Sequence, residues 1–135
     1  MLQIENTPEG FATAAVGHLL VGLMKCDGEV SLREEIRMDD LVVRLARQLP
    51  SRPEATSDFV TALLADVDYH AWEPAHHLER GLEYFGQLVD SGEALHRHAD
   101  GLLEVLRQLM EVDDVTASER DYLAQASQAF EERFG

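Results

Sequence analysis

Val16-Gly17-His18-Leu19-Leu20-Val21-Gly22-Leu23-Met24-Lys25-Cys26-Asp27-Gly28-Glu29-Val30-Ser31-Leu32-Arg33-Glu34-Glu35 reads as helix, acidic turn, helix, and the rest of the chain is organised around it. No side chain in residues 11–24 carries a formal charge, so the first helix is apolar on nearly every face and is expected to be central and buried. Gly17 and Gly22 give neighbouring elements room to approach it closely. After Lys25 the Asp27-Gly28 pair supplies a local acceptor and a residue that tolerates positive φ, which stops the helix. Ser31 and Glu34 then match a capping box, in which the serine bonds the amide three residues on and the glutamate reaches back.

The same grammar returns in Leu106-Arg107-Gln108-Leu109-Met110-Glu111-Val112-Asp113-Asp114-Val115-Thr116-Ala117-Ser118-Glu119. Met24 matches Met110, Asp27 matches Asp113, and Thr116 with Glu119 forms a second capping box. This copy is one residue shorter and carries Asp114 where the first carries Gly28. An internal duplication is the economical reading.

Leu19, Leu20, Leu23, Asp27, Gly28, Val30 and Glu34 spell Leu-Leu-x-x-Leu-x-x-x-Asp-Gly-x-Val-x-x-x-Glu, which resembles the signature of the TerB-like family. That family includes tellurite-resistance proteins and the related domain of a membrane-linked co-chaperone. The resemblance implies an all-α domain, a compact bundle of about six to seven helices built from two helix-turn-helix halves, spanning most of the chain. It also implies an acidic, metal-binding surface.

Length and composition fit one globular domain, with 135 residues that are 45% hydrophobic and 27% charged. Twenty-six acidic residues against eleven basic ones give a formal charge of -15, which disfavours nucleic acid or an anionic membrane as the main partner. Cations and basic protein surfaces are favoured instead. Cys26 is the single cysteine, so no intrachain disulfide forms, and an inert thiol at a helix end is expected rather than one activated by Lys25. The N-terminus lacks a basic region ahead of its apolar run, and that run is too short to cross a bilayer. A cytoplasmic protein without direct membrane insertion is the expectation.

Along the chain, Thr7-Pro8-Glu9 is a helix start and the first helix runs to about Lys25. A second helix, 32 to about 49, places Met38, Leu41, Val42, Leu45 and Leu49 on one face. Its other face carries Arg33, Arg37, Arg44 and Arg47, flanked by Lys25 and Arg52, either a solvated face or a basic docking strip. Pro50-Ser51-Arg52-Pro53 breaks the chain into halves. The next helix, 54 to 68, is expected to pack Val60, Leu63, Leu64 and Val67, and 69–73 to be irregular. Pro74 opens a helix with inner residues Leu78, Leu82, Phe85 and Val89. Leu95, Ala99, Leu102, Leu106 and Leu109 form a further stripe, and the last helix, after Thr116, turns Leu123, Ala126, Phe130 and Phe134 inward.

Asp27, Glu34, Asp113 and Glu119 are hard oxygen donors, and two hairpins packed about a pseudo-twofold axis would bring them around one divalent metal ion. The alternating ligands of a calcium loop are absent from both turns. Alternatively the two aspartates only cap their turns and the two glutamates serve their capping boxes. Glu73-x-x-His76 and Glu93-x-x-His96 have di-iron spacing, but each sits in the first turn of its helix, so antiparallel neighbours hold them apart. His76 and His77 are therefore expected at the surface or half-buried beside Tyr69 and Trp72, and His18 as a satisfied core histidine. No nucleophile elbow, phosphate loop or zinc-spaced cysteine pair appears. The sequence thus points to a non-enzymatic stress-response domain that binds a divalent cation or a protein partner, or associates with itself. The alternatives are a pure interaction scaffold and, less favoured, a helical di-metal enzyme.

Overall fold

The computed structural model describes residues 4–26, 53–90 and 117–134. Within them lie four helices, α1 (Pro8–Lys25), α2 (Pro53–Ala65), α3 (Pro74–Asp90) and α4 (Ala117–Phe134), and a short 3-10 turn, Val67–Tyr69, between α2 and α3. Every regular element among the described residues is helical. The helix expected over 32–49 with its arginine face, and the apolar stripe from Leu95 to Leu109, lie outside them.

α1 begins where Thr7-Pro8-Glu9 directs. The Thr7 hydroxyl accepts from the Gly10 amide at 3.1 Å, Pro8 takes a position with no amide to satisfy, and Glu9 faces the positive end of the helix dipole. All of residues 14–24 are buried, so the uncharged run is the central helix. α3 packs most extensively against it, α2 next, and α4 closes the group by touching both α1 and α3. Phe85 of α3 and Phe130 of α4 meet edge to face with ring centroids 4.9 Å apart.

Both glycines of α1 are points of close approach. A Cβ at Gly17 would run into the Phe59 ring, and one at Gly22 into the Tyr122 hydroxyl. That hydroxyl lies within α1's own hydrogen-bond ladder, donating to the Leu19 carbonyl at 2.7 Å. Burial raises the Tyr122 pKa well above its ordinary value, so the phenol stays protonated and keeps its donor.

The expected inner faces hold with one correction. Val60, Leu63, Leu78, Leu82, Phe85, Leu123, Ala126 and Phe130 are buried, and Leu64 and Val89 pack partly against them. The side chain of Phe134 lies outside the description. Val67, expected inside, is 74% exposed. The α-helix ends at Ala65, and Asp66 starts a tighter turn by accepting the Asp68 amide on its Oδ1 at 2.9 Å. The change of pitch carries Val67 off the inward face and turns Tyr69 in, where it is buried.

Candidate functional site

α1 and α3 bring two histidines and a lysine together. His18 stands in the middle of α1 and Lys25 two turns later on the same face. Opposite them α3 contributes His77, and the connection ahead of α3 contributes Tyr69 and Trp72. His18 and His77 meet Nδ1 to Nδ1 at 3.1 Å, and Lys25 Nζ lies 2.9 Å from His77 Nε2. The same ammonium donates to the Tyr69 carbonyl at 2.7 Å and to the Trp72 carbonyl at 3.2 Å.

Proton positions follow from this geometry. An ammonium has three N–H groups and no acceptor, so with two spent on carbonyls the third goes to His77 Nε2. His77 therefore carries its proton on Nδ1 and donates it to His18 Nδ1. His18 in turn carries its proton on Nε2. One line of donors thus runs from the end of α1 through α3 and back to the middle of α1.

Aromatic rings enclose this line. Around His18, Phe59 and Tyr69 stand edge-on while Trp72 and Tyr84 stack, all with centroids within 5.8 Å. Burial, and then the positive charges of Arg80 and Lys25, lower the His18 pKa to about 4. His77 is lowered to about 3, by burial first and then by Lys25, His18 and His76. Both rings are neutral at neutral pH. A base so weak is poorly matched to proton abstraction there, since a catalytic base works best with a pKa near the operating pH. Burial also lowers the pKa of Lys25. Together Lys25 and His77 tie the Tyr69 and Trp72 connection to the contact of α1 and α3.

What they hold is the floor of a groove. Tyr69, Ala71 and Trp72 line one side, and His76, Glu79, Arg80 and Glu83, one face of α3, line the other, around an open space of about 580 Å³. Arg80 bonds Glu83 Oε2 at 2.7 Å and lies 4.9 Å from the centre of the Tyr84 ring. Glu79 is paired with Arg133 of α4 at 2.9 Å.

One expectation about these residues changes. His77, expected at the surface or half-buried, is fully buried, whereas its neighbour His76 is exposed. Adjacent helical residues point about 100° apart, so α3 sends one imidazole into the core and the other to solvent. Lys25 turns inward to carbonyls, and the basic strip it was expected to flank lies outside the described residues. His18 is satisfied, as a core histidine must be, but by a second histidine far along the chain. Cys26 is half-buried, its thiol 3.4 Å from the Gly22 carbonyl.

Of the four candidate metal ligands, Asp27, Glu34 and Asp113 lie outside the described residues. Glu119 lies in the first turn of α4 and is buried, 6% exposed. Among the described residues, no three His, Cys, Asp or Glu side chains are arranged to hold a metal ion. No described helix is long and apolar enough to cross a membrane.

Sequence reasoning missed the His18, His77 and Lys25 line. One signal for half of it was available: in a helix otherwise without titratable groups beyond its first turn, His18 and Lys25 are spaced to share a face. Comparison with protein-family models gave no match, and comparisons with curated proteins and with solved structures gave none either.

Proposed function

We propose that this chain is a TerB-like stress-response domain of the kind associated with tellurite resistance, acting in the cytoplasm by binding rather than catalysis. In this reading it has about six to seven helices in two helix-turn-helix halves, and binds a divalent cation or a protein partner through Asp27, Glu34, Asp113 and Glu119. The observation that carries it is the course of α1. The helix that opens the repeated motif is buried from Ala14 through Met24 and stops at Lys25, with Cys26 as its cap ahead of Asp27-Gly28 in the sequence. In this reading the buried helix gives the carboxylate of the acidic turn that the sequence places after it a fixed base, as a cation site requires. The net charge of -15 favours cations and basic protein surfaces over nucleic acid.

A second reading is favoured by Glu119. A buried glutamate at the third position of a helix is where a capping box uses a carboxylate to bind backbone amides. On that reading the acids are structural and the domain is an interaction scaffold. Protein purified without chelator, analysed for metals and then titrated as the apo form in a calorimeter, separates the two. Saturable binding of a divalent ion supports the cation site; no heat with any divalent ion leaves the scaffold.

A further inference from the structure

We propose that the groove between the 69–72 connection and α3 is a recognition site for an arginine side chain of a protein partner, seated against Trp72 between Glu79 and Glu83. This goes beyond the acidic turns and does not depend on them.

The groove is a constructed feature. Its floor residues Tyr69 and Trp72 are fixed from behind by one ammonium, since Lys25 donates to both of their carbonyls. Trp72 stacks over His18 with centroids 5.8 Å apart, and Tyr69 stands edge-on to Trp72 at 4.8 Å. The connection is thereby held against the core although it contains only one short 3-10 turn. A space of about 580 Å³ falls in the size range of binding pockets and readily admits one long side chain.

Its chemistry selects a cation that is flat and carries several donors. Of the charged side chains that line the groove, Glu79 and Glu83 are acidic and Arg80 is basic. Glu83 uses one carboxylate oxygen for Arg80, and among the described residues the other has no partner. Glu79 is held by Arg133, which bonds both its oxygens through one nitrogen. Both ion pairs are exposed and stabilise little, so an incoming guanidinium can replace either cation. Trp72, half-buried, offers part of its indole to the same space, and arginine stacks on indole better than lysine does. The net charge of -15 over the whole chain favours a basic partner.

Trp72 is the only tryptophan, so its fluorescence reports on the groove directly. The test titrates the full chain, at about 0.15 M salt to screen long-range attraction, with capped peptides of equal length. One alternates glycine with arginine, one glycine with lysine, and one glycine with serine. The arginine peptide should change Trp72 emission saturably, the lysine peptide more weakly, and the serine peptide not at all. Glu79→Gln with Glu83→Gln should weaken the arginine response about tenfold, while circular dichroism and melting stay as in the wild type. Glu5→Gln with Glu54→Gln removes the same charge from exposed positions away from the groove and should leave binding unchanged. No saturable emission change with the arginine peptide overturns the proposal. So does equal weakening by the two double variants, which would reduce the effect to bulk charge. Titration with a divalent ion alone tests the acidic turns separately, so either proposal can fail without the other.

Discussion

His18 and His77, far apart in the chain, share one proton across the contact of α1 and α3, with the nitrogens 3.1 Å apart. Lys25 fixes the direction of that bond, because its third N–H occupies His77 Nε2. At neutral pH, nitrogen-resolved NMR should therefore find His77 protonated on Nδ1 and His18 on Nε2. The opposite pair of tautomers would break the proposed donor line.

The same pair makes folding sensitive to acid. Unfolded histidines titrate near 6.5, whereas folded His18 and His77 are held at about 4 and about 3. Above 6.5 the rings are neutral in both states and add no pH dependence. Below it the unfolded chain takes up protons that the folded chain refuses, so stability falls with pH down to about 3 and then levels. The positive charges of Lys25 and Arg80, which face the pair, deepen the effect. Carboxylates also titrate toward the bottom of this window, so the informative measurement is a difference. Urea midpoints from pH 8 to pH 5 should fall less in a His18→Phe, His77→Gln variant than in the wild type. Parallel curves would mean that the histidines are not held neutral by the fold.

Lys25 should matter to the groove as much as to stability. Lys25→Met keeps the aliphatic stem but removes the donors to Tyr69, Trp72 and His77. Hydrogen bonds from a charged donor contribute about 1.5 to 3 kcal/mol, and a loss of about 2 kcal/mol is expected here. Trp72 emission should shift to the red before global unfolding, as the connection loosens. Lys25→Arg should rescue only partly, because a planar fork cannot direct donors to three such acceptors. Full stability in Lys25→Met would show that the three contacts do not hold the connection.

Much of this fold was legible because it is local. The uncharged run of residues 11–24 announced a central helix, Thr7-Pro8 and Pro74 announced helix starts, and the two glycines announced close neighbours. Val67 was misread because its apolar spacing continues past Ala65, whereas Asp66 tightens the backbone and turns the valine out. The candidate site was mostly illegible for a different reason. His18 and His77 are joined only by how α1 packs on α3, and nothing local to either names the other. The acidic turns, the most legible motif, fall at residues the structure does not describe, apart from Glu119.

Gly22 and Tyr122 should behave as one unit. Alanine is the better helix former by about 1 kcal/mol, but a Cβ at Gly22 meets the Tyr122 ring and hydroxyl, and overpacking of this kind costs about 1 to 3 kcal/mol. Gly22→Ala is therefore expected to destabilise. Tyr122→Phe alone should cost about 1 kcal/mol for the lost bond to the Leu19 carbonyl. Because the clash and the bond involve the same hydroxyl, the double variant should lose less than the sum of the single losses. Strict additivity in denaturant melts would mean that α4 moves away from Gly22 at no cost.

The proposed cation site makes the sharpest demand, since Asp27 and Asp113 must act together across most of the chain. If the two turns meet at one pole with Glu34 and Glu119, four carboxylates repel one another and a dication relieves that repulsion. Bound metal should then stabilise the fold by mass action, about 2.7 kcal/mol at a hundredfold excess over its dissociation constant. Asn at either position keeps the size and much of the turn hydrogen bonding while removing the charge. Asp27→Asn and Asp113→Asn should each abolish the metal-induced rise in melting temperature, and each should raise the melting temperature of the apo form by easing repulsion. Neither should alter the response of Trp72 to an arginine peptide, which depends on Glu79 and Glu83. If both variants melt as the wild type does with and without metal, or if no divalent ion shifts wild-type melting, the aspartates only cap their turns and the domain is a scaffold.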